Sequence, residues 1–102
     1  MVIDINLKQK LKRDLVACLA NDEEIQRIVV FGSFNDSPTP ADMDVAVFQT
    51  SKTPYIPLAL KYRRQARPIS RQIPLDIIPL RADVSDSPFL AEINKGETIY
   101  ER

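Results

Sequence analysis

Histidine is missing from the chain altogether. Its absence excludes imidazole acid–base chemistry, Ser-His-Asp triads and His-ligated metal sites, and it leaves carboxylates as the metal ligands on offer. Cysteine is nearly missing too. Cys18 stands alone, which rules out an internal disulfide and a multi-cysteine zinc site within one chain and points to a reducing compartment. Net charge is zero, 14 Lys and Arg against 14 Asp and Glu, so no global field draws the protein to nucleic acid or to an anionic membrane, and any polyanion site is local. Aromatic content of 7% adds a second reason to set nucleic-acid binding aside. No apolar run approaches the roughly 20 residues needed to span a bilayer, and the charged N-terminus lacks a signal-peptide core. A cytoplasmic location is expected.

The 102 residues are expected to form one domain, residues 1–102, with a single core and little room for separate substrate-recognition modules. Hydrophobic content of 44% with only 2 glycines describes a globular chain. Residues 5–20 carry Leu7, Leu11, Leu15, Val16 and Leu19 on one helical stripe, with Asp4 or Asn6 available as a cap. Ile28–Phe31, preceded by Ile25, has the β-branched composition of a buried strand, which Gly32 stops. Pro38 and Pro40 predict that Asn35–Ala41 is a loop outside helix and strand.

Beyond that loop, Asp42–Phe48 alternates. Asp42, Asp44, Ala46 and Phe48 fall on one face, and Met43, Val45 and Val47 on the other. This strand and the one before it are expected to pair. A helix beginning near Pro54 or Pro57 and ending near Ala66 places Leu58 and Tyr62 on one face, amid Lys61, Arg63, Arg64, Arg67 and Arg71. Ile73–Leu80 is a third strand, and Pro74 and Pro79 near its ends favour an edge position. Ser87 as N-cap, Pro88 at N1 and Gly96 as C-cap predict a short helix over 88–95, followed by an extended segment to Arg102.

Three aspartates are the candidates for chemistry. Asp42 and Asp44, two apart in an extended segment, leave the same face with alpha carbons on the order of 6–7 Å apart. Asp is depleted in strands and like charges repel, so the pair is costly unless a cation neutralises it; a solvated loop-to-strand junction, where the aspartates cap or stay wet, is the bland alternative. Asp76 sits between apolar residues in IPLDIIPL. A buried lone carboxylate costs several kcal/mol, so it must be ion-paired, metal-bound or at a wet strand edge. An ion pair with Arg63, Arg64 or Arg71 is the bland alternative. Gly32-Ser33 directly follows a strand, where glycine lets a phosphate approach the backbone and the serine hydroxyl can donate to it; the Gly-Lys-Ser/Thr ending of a Walker A loop is absent.

The ordered set FGSF, ADMDVAVF, IPLDIIPL and SPFLAEINKGETIYER resembles the nucleotidyltransferase superfamily related to DNA polymerase beta, and within it the minimal nucleotidyltransferases that pair with helical HEPN-domain proteins as toxin–antitoxin systems. The resemblance implies an α+β nucleotidyltransferase fold, a small mixed sheet of three to four strands with helices mainly on one face. It implies that Gly32 and Ser33 hold the triphosphate, and that Asp42, Asp44 and Asp76 bind magnesium, two ions, and carry catalysis. ATP is the implied substrate, an NMP the transferred group, and a HEPN-type protein the implied partner and acceptor. Self-association is a further expectation, from the apolar surface of so small a domain. The spacer from Ser33 to Asp42 departs from the family, being short and free of Arg, and Ala41 stands where a serine often precedes the first aspartate. A non-catalytic module that neutralises its partner by contact is the competing reading.

Overall fold

A computed structural model of the chain describes residues 2–102. Helix α1 (Ile5–Leu19) leads into strand β1 (Ile25–Phe31), a single helical turn α2 (Ser33–Asp36) and strand β2 (Met43–Gln49). Helices α3 (Tyr55–Gln65) and α4 (Arg67–Ser70) then cross to β3 (Leu75–Arg81), and α5 (Leu90–Asn94) precedes β4 (Glu97–Glu101). The four strands lie in the order β3-β2-β1-β4. β1 pairs antiparallel with both β2 and β4, and β2 pairs parallel with β3, so the sheet is mixed.

Alternation along the strands builds the core. Ile28, Val30, Val45, Val47 and Ile77 face α1, α3 and α4, meeting Leu11, Leu15, Leu19, Leu58, Tyr62 and Ile69. The opposite face carries Val29, Phe31, Ala46 and Phe48, and α5 covers part of it with Ile93. Asp4 is the α1 cap: its Oδ1 accepts from Leu7 N at 2.8 Å. Leu58 and Tyr62 form the buried face of α3, as their spacing predicts. β3 takes the edge position that its prolines favour. No helix among the described residues is long and apolar enough to cross a membrane.

The Tyr62 ring is fully buried, and its hydroxyl donates to Glu24 Oε2 at 2.6 Å. Burial, then that hydrogen bond, then the charges of Glu24 and Asp22, push the phenol far above its ordinary pKa. Tyr62→Phe is expected to lower unfolding stability by about 1.5 kcal/mol, read from urea titrations with an unchanged m-value.

Three local expectations need correction. Asn35 and Asp36 are helical, because buried Phe34 anchors the turn and Ser37 N closes it on Ser33 O at 2.8 Å; only the segment with the prolines is loop. The last helix starts at Leu90, with Phe89 at its N-cap. Ser87 instead organises the preceding turn, its Oγ accepting from Phe89 N at 3.2 Å. Gly96 is not a left-handed cap, since Gly32 alone among the described residues has positive φ. Gly96 is needed for close approach: a Cβ there would lie 2.6 Å from Val30 O and 2.7 Å from Phe31 Cβ.

Candidate metal and phosphate site

Register brings the aspartates together. Phe31 pairs with Asp44 across β1 and β2, and Asp44 with Asp76 across β2 and β3, so one row of the sheet runs from the end of β1 to both carboxylates. Asp42 lies just before β2, on the same side as Asp44. One carboxylate oxygen from each of Asp42, Asp44 and Asp76 lies within 4.8 Å of the others. Burial first, then the charges of Asp42 and Asp76, hold the Asp44 carboxyl above its ordinary pKa.

Asp76 corrects the sequence argument. Its side chain is 59% exposed, because β3 is an edge strand and its apolar neighbours Leu75 and Ile77 point to the opposite face. The cost of burying it therefore does not arise. Arg63 of α3, one of the three partners weighed from sequence, places Nη2 3.6 Å from Asp76 Oδ1. The rest of the basic cluster lies apart from the carboxylates: Lys61 Nζ stands 3.4 Å from both Asp22 and Glu24, while Arg64, Arg67 and Arg71 are exposed.

Gly32 turns the chain at φ 77, ψ −159, a region essentially reserved for glycine. A Cβ on it would lie 2.7 Å from Asp44 Oδ2, so the missing side chain also lets the Gly-Ser turn close on the carboxylate. Two ties hold the turn. Asn35 Nδ2 donates to Val30 O at 2.8 Å, and Lys8 Nζ of α1 donates to Ser37 O at 2.6 Å, satisfying a carbonyl at the end of the short helix. Lys8 is buried, and Lys12 beside it pairs with Glu97 of β4.

One cleft is lined by two of the carboxylates and another by the Gly-Ser turn. One, of about 360 Å³, is lined by Phe31, Asp44, Tyr55, Arg63, Asp76, Ile77, Ile78 and Phe89. The other, of about 250 Å³, is lined by Gly32, Ser33, Asn35, Asp36, Glu92 and Lys95. All five residues singled out from the sequence thus meet at one end of the sheet. Lys8 and Lys95 are not legible beside the turn, since Lys8 reaches Ser37 across 29 residues and Lys95 lines the same cleft as Gly32 and Ser33 from the far end of the chain.

The donor set suits a hard divalent cation such as magnesium: carboxylate oxygens with no nitrogen or sulfur ligand, and a mutual repulsion at Asp44 that a cation would relieve. A mixed α+β sheet with a Gly-Ser turn and an Asp-x-Asp strand at one end is the architecture of a nucleotidyltransferase. The family model described as Polymerase beta, Nucleotidyltransferase matches residues 13–102, and the chain belongs to that family. Among solved structures it is similar to a chain of the tri-AMPylated Shewanella oneidensis HEPN toxin in complex with MNT antitoxin, with TM-score 0.66 and 19% identity over 93% of this chain and 73% of that one. It is also similar to a chain of the toxin–antitoxin MntA–HepT, with TM-score 0.64 and 18% identity over 92% and 73%. At these identities the likeness is one of fold. No curated protein matches the sequence.

Proposed function

We propose that the chain is a minimal nucleotidyltransferase domain that transfers AMP from ATP to a hydroxyl of a HEPN-type partner protein, in the cytoplasm, as the antitoxin of the pair. The convergence of Asp42, Asp44 and Asp76 beside Gly32-Ser33 carries this reading. Family membership supports the reaction type, and the fold neighbours, one of them a complex holding an AMPylated toxin, support the choice of nucleotide and partner.

Asp42, Asp44 and Asp76 would hold magnesium, two ions. The metal, when bound, supplies charge stabilisation at the phosphoryl oxygens and lowers the pKa of the attacking hydroxyl. The Gly32 backbone lets the triphosphate come close, and the Ser33 hydroxyl donates to one of its oxygens. Asp76, on the open edge of the sheet and facing the larger cleft, receives the acceptor and takes up its proton. Arg63 offsets part of the negative charge concentrated there. The acceptor oxygen forms a bond to the α-phosphorus as the bond from that phosphorus to the β-bridging oxygen breaks, and pyrophosphate leaves.

The competing reading, neutralisation by contact alone, is favoured by one observation: residues 34–41 between Ser33 and Asp42 hold no Arg or Lys. One experiment separates the two. The protein is incubated with magnesium, α-labelled ATP and its HEPN-type neighbour, as wild type and as Asp42→Asn. Label transfer by the wild type that the variant loses is the expected result. Equal labelling by both, or magnesium-independent neutralisation by the variant, would sink the catalytic reading.

A further inference from the structure

We propose that Lys95 supplies the cation that the spacer lacks and grips the β- and γ-phosphates of the nucleotide, an inference that rests on the transferase reading above. A triphosphate entering the cleft beside Gly32 and Ser33 brings further negative charge to walls that already carry Asp36 and Glu92. Metal held by the three carboxylates would offset part of the triphosphate's charge. Phosphates placed in the cleft on the Ser33 side would lie against acidic walls, where a cationic donor is of most use. Lys95 is the one cation among the residues lining that cleft.

The fold fixes it there. Gly96 is pressed against the last residues of β1, close enough that any Cβ would collide with Val30 O and Phe31 Cβ. The junction of α5 and β4 is thereby clamped to the strand end from which Gly32 departs, and Lys95 is the residue immediately before the clamp. Its side chain is free to serve. It is 76% exposed, and its only ion pair among the described residues is a 3.8 Å approach to Glu92, beyond hydrogen-bonding distance. Glu92 therefore acts as a weak resting partner that phosphate displaces. A flexible ammonium is suited to this, since distal phosphates present oxygens in several directions and require no planar fork.

Titrations of ATP and of AMP in magnesium, without partner protein, test the assignment in wild type, Lys95→Gln, Lys95→Arg and Glu92→Gln. Lys95→Gln is expected to weaken ATP binding about ten-fold and leave AMP binding unchanged, because AMP has no distal phosphates. Lys95→Arg should retain most of the ATP affinity, and Glu92→Gln should tighten it. Both positions are exposed, so melting temperatures should match. Unchanged ATP affinity in Lys95→Gln, equal losses for ATP and AMP, no retention by Arg, loosening in Glu92→Gln, or a wild type that binds no ATP would each overturn the assignment. Label transfer to the partner is scored in parallel: Lys95-dependent ATP binding without transfer would leave Lys95 in place and remove the transferase reading.

Discussion

Asp44→Asn is expected to yield a folded protein that has lost label transfer by roughly a thousand-fold, the worth of several kcal/mol of charge stabilisation at the phosphoryl group. Asp44 occupies the centre of the cluster, paired across the sheet with Asp76 and two residues from Asp42, so its carboxylate is the one both others repel. The substitution keeps size and shape and removes the charge. Stability should move the other way. A carboxyl whose folded-state pKa is raised stabilises the fold at low pH, where it is protonated, and that contribution is lost as pH rises through the folded value. Without metal, Asp44→Asn is therefore expected to be at least as stable as wild type at neutral pH, with the difference vanishing under acid. The proposed magnesium site predicts that the added ion raises the melting temperature of wild type and not of the variant. Thermal melts at two pH values, with and without magnesium, check all of these, and a strongly destabilised variant would mean that Asp44 serves the fold.

Gly32→Ala should fail by geometry, with charge unchanged. Its backbone conformation costs a residue with a Cβ about 1–3 kcal/mol, and the added carbon would sit 2.7 Å from Asp44 Oδ2. Asp44 must shift or the turn must open. Either displaces Ser33 relative to the carboxylates, and a misplacement of about 1 Å is enough to cost roughly a hundred-fold in rate. Gly32→Ala is thus expected to lose both transfer and stability, whereas Asp44→Asn loses transfer alone. Equal activity of Gly32→Ala and wild type would show that the Gly-Ser turn takes no part.

Much of this architecture is legible in the sequence because it is local. Period-two alternation in Asp42–Phe48 assigns both faces of β2, and proline placement marks β3 as an edge strand. The Asp42/Asp44 pair needs only its spacing to be seen. Asp76 stands out in the sequence for a partly mistaken reason: apolar sequence neighbours suggest burial, whereas alternation turns those neighbours to the other face and leaves the carboxylate in water beside Arg63. Gly96 reads as a helix cap from its local context, yet its role is set by β1, which lies far back in the chain. The ties from Lys8 to Ser37 and from Lys12 to Glu97 span 29 and 85 residues, and no local pattern carries them. Lysines on an amphipathic helix ordinarily read as its wet side.

Transfer of a nucleotide and transfer of a phosphate are told apart by which label of ATP reaches the partner. Wild-type protein, magnesium and the HEPN-type partner are incubated in parallel with ATP labelled at the α-phosphate and at the γ-phosphate. The α-label is expected to become bound to the partner and the γ-label to leave in pyrophosphate. Label on the partner from γ-labelled ATP, or from neither, would contradict it.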